Sequence, residues 1–232
     1  KSEIANYSLT LPVSGTKVNY RPFRVKEEKI LLLALEENSE EAMLEGIKNL
    51  IESCCDDIDD AGNLPMSDLE YLFLNIRGKS VGETLMPNFV CPYTEETIKV
   101  KIPVDKIKVK KEKKHSLKIN ITDKVGVTMK YPTINTLLQN QITDLETMST
   151  NQSLEMICSC IDEVWTEDEI YKSKDVTKKD LLEFVESMPS ENFKKIMKFF
   201  ATSPRLEHEV KYKTKDGEER TIILSGLGAF FA

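Results

Sequence analysis

SDLEYLFLNIRGKSVGE, residues 67–83, anchors the reading of the whole chain. Ser67 is a good N-cap, Asp68 and Glu70 put negative charge in the first turn, and Leu69, Leu72, Phe73 and Ile76 recur at i, i+3, i+4 and i+7. That spacing predicts a helix with one buried face. Tyr71 and Leu74 widen the apolar sector, so the helix is expected to pack on two sides, while Arg77, Gly78 and Lys79 supply a basic last turn and a stop. A loop with Ser80 and Gly82 follows.

Towards the N-terminus, Leu9 to Val13 and Lys17 to Arg24 read as two short extended pieces around Ser14-Gly15, kept out of any sheet interior by Pro12 and Pro22. Val25 to Leu35 reads as a helix whose run Ile30 to Leu35 is apolar all round, hence buried on most sides. Ser39 caps a second helix, Glu40 to Cys55, with Met43, Ile47, Leu50, Ile51 and Cys54 in one stripe. The two form an αα-hairpin that ends at the acidic loop Asp56 to Asn63.

Past Pro87 the character changes. Between Phe89 and Met129, β-branched residues alternate with lysine at Ile98 to Ile102, Ile107 to Val109 and Leu117 to Ile121, the pattern of half-buried antiparallel strands with turns at Thr94 to Glu96, Lys111 to Ser116 and Asp123 to Gly126. Helices return after Pro132: Ile134 to Leu145, Leu154 to Trp165, one capped by Thr177, and one capped by Ser190 that stops at Pro204. Leu206 to Lys215 and Glu218 to Leu224 flank Asp216-Gly217, a pair suited to a type I′ hairpin. The tail Ser225 to Ala232 is apolar and jointed by glycine. A lone hairpin is marginal, so it is expected to join the middle strands in one sheet.

The expected fold is α+β. Its segments are residues 1–86 (N-terminal arm and helices), 87–130 (central strands), 131–204 (helices) and 205–232 (hairpin and tail), forming one or two intertwined domains. The 232 residues are 40% hydrophobic and 31% charged with a net charge of −7. This describes a soluble acidic chain with a real core and argues against general nucleic-acid binding. No stretch is long and apolar enough for a membrane span or a signal peptide. Five cysteines, an odd number, read as reduced, buried thiols.

Chemistry-bearing patterns are sparse. Taking Asp57 as the first position of a calcium loop leaves Ala61 fifth and Asp68 twelfth, where a ligand and a bidentate glutamate are needed. Cys91-Pro92-Tyr93-Thr94 has one thiol of a zinc knuckle, and the opposite turn, Lys213 to Gly217, has none. His115 and His208 stand apart from any nucleophile motif, and no phosphate-binding glycine loop occurs. No enzyme, metal or cofactor is expected. The lysines from Lys106 to Lys118 read as a solvent face and charged turn guarding a sheet edge. The alternative is a regulatory nucleic-acid-binding module built on those strands.

The segments PFRVKEEKIL (22–31), DLEYLFLNIRGKSVGE (68–83), MKYPT (129–133), HEVKY (208–212), LSGL (224–227) and Phe230-Phe231, in that order, resemble the baseplate hub protein family of contractile-tailed phages of the T-even type. The resemblance spans most of the chain. It implies a non-enzymatic hub component or assembly factor, located in the virion tail baseplate or in the host cytoplasm during assembly. Its partners would be other hub and tail proteins, with no membrane, no nucleic acid, and self-association left open. It also implies paired cysteines at the start of the β region and in the last hairpin; with Cys91 alone here, hydrogen bonds and packing are expected to hold the sheet. The candidate contact residues are Arg77, Lys79, Ser80 and Glu83 in the loop after the first-quoted helix and Leu227, Phe230 and Phe231 in the tail. The tail has a second reading, in which its phenylalanines complete the core.

Overall fold

A computed structural model describes residues 5–37, 39–142 and 148–230, with the side chain of Leu35 also outside the description. The architecture is α+β, with helices and several small antiparallel sheets. Two compact units share the chain, residues 1–110 with 204–232 and residues 111–203. The division falls inside the lysine-rich stretch, so the central strands do not form one sheet.

The first unit opens with a hairpin of β1 (Tyr7–Thr10) and β2 (Lys17–Tyr20), a two-stranded sheet of its own. Helices α1 (Val25–Glu37) and α2 (Glu40–Cys54) follow, and Ser39 caps α2 by accepting from the Ala42 N–H. They pack so closely that a Cβ on Gly46 would sit 3.1 Å from Ala34 Cβ. Against expectation, α1 is not buried on most sides: Leu32 and Leu33 are each more than half exposed.

Helix α3 (Met66–Val81) is the 67–83 helix with both ends displaced. It starts two residues early, with Pro65 and not Ser67 at the N-cap, and without a side-chain cap. Asp68 is instead fully buried and grips the β1–β2 turn, its two carboxylate oxygens accepting from the N–H groups of Val13 and Ser14 at 2.8 Å each. Gly78 does not stop the helix; it is buried where a Cβ would lie 3.3 Å from Val104, and the chain turns only at Gly82, whose φ of +153° favours glycine. A close approach and a helix end call for the same residue type, which is why the spacing misplaced the stop.

Four short strands follow in two pairs. β3 (Thr84–Leu85) pairs with β6 (Ile102–Pro103), and β4 (Asn88–Val90) pairs with β5 (Thr97–Lys99), so the expected strand 98–102 divides between two ladders. β7 (Lys108–Lys110) closes this half of the unit.

In the second unit, β8 (Lys118–Asn120), β9 (Gly126–Met129), β10 (Ile161–Trp165) and β11 (Ile170–Lys172) form one antiparallel sheet in the order β11-β10-β9-β8. Helix α4 (Ile134–Gln139) stops at its C-cap Asn140, short of the predicted end at Leu145, and residues 143–145 of that prediction lie outside the described residues. Helix α5 (Thr150–Ser159) ends before Cys160, and the residues expected to continue it form β10. Val164 and Trp165 suit either state, and pairing with Val127 and Gly126 decides for the strand. The indole of Trp165 lies on Gly126, where a Cβ would come within 2.0 Å of the ring. That contact explains a glycine inside β9. Helix α6 (Lys178–Glu186) carries the Thr177 capping box, and α7 (Ser190–Thr202) begins behind Pro189 with no side-chain cap from Ser190.

The chain then returns to the first unit as the hairpin of β12 (Arg205–Lys213) and β13 (Glu219–Ser225). β12 also pairs with β7 and with no other central strand. The turn is not type I′. Only Gly217 takes positive φ, +86°, with its N–H on Thr214 O at 2.9 Å. Asp216 keeps ordinary φ because its carboxylate accepts from the Thr214 hydroxyl, the Glu218 N–H and Arg220, bonds that hold its pKa at about 2. The core of the unit joins Leu74, Leu85, Ile102, Val104, Ile107, Leu206, Val210, Leu224 and Phe230.

Candidate protein interface

The loop residues and the tail residues occupy two places on the first unit. Ser80 is the last link between α3 and the N-terminal arm: its hydroxyl donates to Ile76 O at 2.6 Å and accepts from the Phe23 N–H at 2.9 Å. It therefore serves the fold. Arg77 is half-buried, and burial lowers its pKa. Lys79 and Glu83 are exposed, joined as an i, i+4 ion pair, and the Lys79 ammonium lies 5.0 Å from the centroid of the Tyr7 ring. Such a pair at the surface contributes little stability, which leaves both groups free to exchange partners.

Between and beyond them stand Val81 and Met86, about 60% exposed. The helical spacing did not single them out, because Val81 is the last residue of α3 and Met86 lies outside it. Their apolar surface, flanked by Lys79 and Glu83, is the part of this region that the fold itself does not use.

The tail is built differently. Leu227 to Phe230 form one 3-10 turn after Gly226, whose φ is +75°. Phe230 is 1% exposed and fills the core cluster, and Leu227 and Ala229 pack against it. The Leu227 N–H donates to Glu70 Oε1 at 3.3 Å. Burial pushes the Glu70 carboxyl up to about 7, opposed by that bond. Glu70 and Lys79 are nine residues apart on α3, about 14 Å along its axis, so the loop and tail do not form one patch. Of the two readings of the tail, Phe230 takes the core position; Phe231 lies outside the described residues.

The knuckle at Cys91 is closed without a second thiol. Cys91 Sγ lies 3.4 Å from Tyr212 Oη on β12, Phe89 meets the Tyr212 ring edge-on at 5.1 Å, and Glu96 accepts from the Lys215 N–H at 2.9 Å. The Arg220 guanidinium covers Tyr93, 4.5 Å from its centroid. Burial opposes the Cys91 thiolate, yet the bonds from Thr94 and Tyr212 bring its pKa down to about 7. All five cysteines are free and buried, and no metal-ligating cluster occurs among the described residues. The acidic loop is spent on structure: Asp57 accepts from Asn19, and Asp60 from the Gly62 N–H.

The lysine-rich run is divided. Lys108 and Lys110 face solvent on β7, with Lys110 3.4 Å from Glu207, while in the second unit Lys114 and Lys118 line a recess of about 250 Å³ together with Lys195 and Lys198. No helix among the described residues is long and apolar enough to cross a membrane.

A family model described as T4 bacteriophage base plate protein matches residues 4–232. No curated protein and no solved structure matches the chain.

Proposed function

The chain belongs to the T4 bacteriophage base plate protein family and has a structural role in the phage baseplate; from that premise we propose that it works at the hub of a contractile tail, as a non-enzymatic component or assembly factor acting through protein–protein contacts. The observation that carries the contact surface is the end of α3 and the residues after it, where Val81, between the charged Lys79 and Glu83 in the chain, and Met86, three residues beyond Glu83, both stand about 60% exposed. Apolar anchors with a polar rim are the usual make-up of a recognition patch. Leu227 and Phe230 contribute by fixing the unit that presents it.

The test is the copy number in purified mature particles, by quantitative mass spectrometry against the other tail proteins. A small fixed number per tail identifies a hub component. Absence from particles despite abundance in infected cells, with recovery on hub intermediates, identifies an assembly factor that leaves. Recovery on neither particles nor intermediates overturns the proposal. The patch is tested by Val81→Glu with Met86→Glu, expected to abolish hub association while the thermal melt stays unchanged.

A second reading, nucleic-acid contact, draws on the recess of Lys114, Lys118, Lys195 and Lys198. It requires salt-sensitive DNA or RNA binding that is lost when Lys114 and Lys118 become Glu.

A further inference from the structure

Helix α1 carries an apolar stripe that stands exposed among the described residues. With 3.6 residues per turn, Val25, Lys29, Leu32, Leu33 and Glu36 at i, i+4, i+7, i+8 and i+11 share one face. Val25 is 80% exposed, Leu32 53% and Leu33 52%. Ala34, close to half a turn from the middle of that stripe, is the residue pressed against Gly46 of α2. The helix is therefore seated on α2 through Ala34 and Leu31 and turns Leu32 and Leu33 outward.

The charges on this face are arranged against the helix that carries them. Lys26 and Lys29 share the N-terminal half with Glu27 and Glu28, which suit the first turn, whereas Glu36 and Glu37 close the C-terminal end, whose last turn has no basic residue. A helix C-terminus carries partial negative charge, so two glutamates there are unfavourable within the chain. Lys29, Glu36 and Glu37 enter no ion pair among the described residues; Lys26 lies 3.3 Å from Glu27. Both the exposed leucines and the misplaced charges are relieved by one arrangement.

We propose that α1 pairs with α1 of a second copy, antiparallel, across a two-fold axis that passes between Leu32 and Leu33. Residue 32 of one copy then faces residue 33 of the other, and Lys29 faces Glu36 on both sides of the axis. Glu37 falls on the flank that holds Lys26 and Lys29 of the partner copy, and each acidic helix end lies beside a positive N-terminal end. A parallel pairing would set Lys29 on Lys29 and Glu36 on Glu36. The helix is about 20 Å long, so the contact is smaller than a standard stable interface of roughly 800 Å² per partner and gives a weak, concentration-dependent dimer. This inference does not depend on the hub reading.

Sedimentation velocity of the full chain, from about 1 to about 300 µM to bracket a micromolar dissociation constant, tests it. The wild type is expected to pass from monomer to dimer. Lys29→Glu and Glu36→Lys should each weaken dimerisation roughly tenfold or more, since each replaces two attractions by two repulsions. Their unchanged thermal melts show that the monomer still folds. An equimolar mixture of the two variants should dimerise again, because the first then presents two glutamates to the two lysines of the second, and the double variant should dimerise with itself. A wild type that stays monomeric over the whole range overturns the proposal and leaves the face to a different baseplate protein. So does a dimer that both single variants keep.

Discussion

The first unit is closed by the two ends of the chain, and the second is one continuous run, and they are held together by different kinds of bond. In the first, individual buried groups tie segments far apart in sequence: Asp68 holds the turn at Val13-Ser14, Glu70 holds the tail at Leu227, and Phe230 fills the core. Glu27, 1% exposed, does the same at shorter range. Burial disfavours its charge, but bonds from Arg21, the Arg24 N–H and Lys26 outweigh that and hold its pKa at about 2. The second unit relies more on local devices, such as the capping boxes at Ser149 and Thr177 and the bonds of Thr122 and Thr166 to backbone N–H groups two or three residues on. Closing a long loop is entropically unfavourable, so a discontinuous unit needs strong, specific groups at each closure, and each becomes a point of failure.

The sharpest attempt to break this contrast is Phe230→Ala. It should destabilise the first unit by about 3–5 kcal/mol, the range for emptying a well-packed aromatic site, read as a fall in its urea midpoint. Truncation after Ser225 should leave that unit unfolded. A folded truncation that merely fails to join the hub would remove Phe230 from the closure and return the tail to the partner surface.

Asp68→Ala comes next. It leaves the N–H groups of Val13 and Ser14 without their acceptor, for a loss of about 2–3 kcal/mol, and fast hydrogen exchange confined to the β1–β2 hairpin would locate the damage. An effect no larger than that of a cap residue in the second unit would erase the distinction between them.

Glu70 sharpens the comparison through pH. Its folded pKa of about 7 lies above the ordinary carboxylate value of 4.5, so the native state holds a proton that the unfolded chain has released. Stability is therefore full below about 4.5, falls as pH rises from there through 7, and is flat above. Glu70→Gln, which mimics the protonated form, should abolish this slope and gain on the order of 1–2 kcal/mol at pH 8. Denaturant titrations at pH 5 and pH 8 measure it.

The smallest effect is expected from Ser149→Ala in the second unit, about 1 kcal/mol from the loss of one cap. The helix carries the reciprocal bond, in which the Ser149 N–H donates to Gln152 Oε1, and the variant keeps it. A loss as large as that of Asp68→Ala would show that local caps, too, can govern a unit.

Where local chemistry and local periodicity agree, the elements were legible: α2 behind Ser39, the body of α3, α6 behind Thr177, and the β12–β13 hairpin. Each is specified within its own stretch of chain, by an apolar period together with a cap or turn. The tertiary structure alone decided the rest. It turned residues 161–165 into a strand because β9 offered a pairing edge, and it made Gly78 a contact and Gly82 the stop because Val104 arrives at the former. It used Asp68 as a clamp and not a cap, and buried Phe230 while leaving Leu32 and Leu33 of α1 outside. The candidate surface divides in the same way. Lys79 and Glu83 could be named from the sequence as contact candidates, whereas Val81 and Met86 become a patch only because the core fills without them. Periodicity reports that a side chain is apolar, but which apolar side chains find room inside depends on segments distant in the chain.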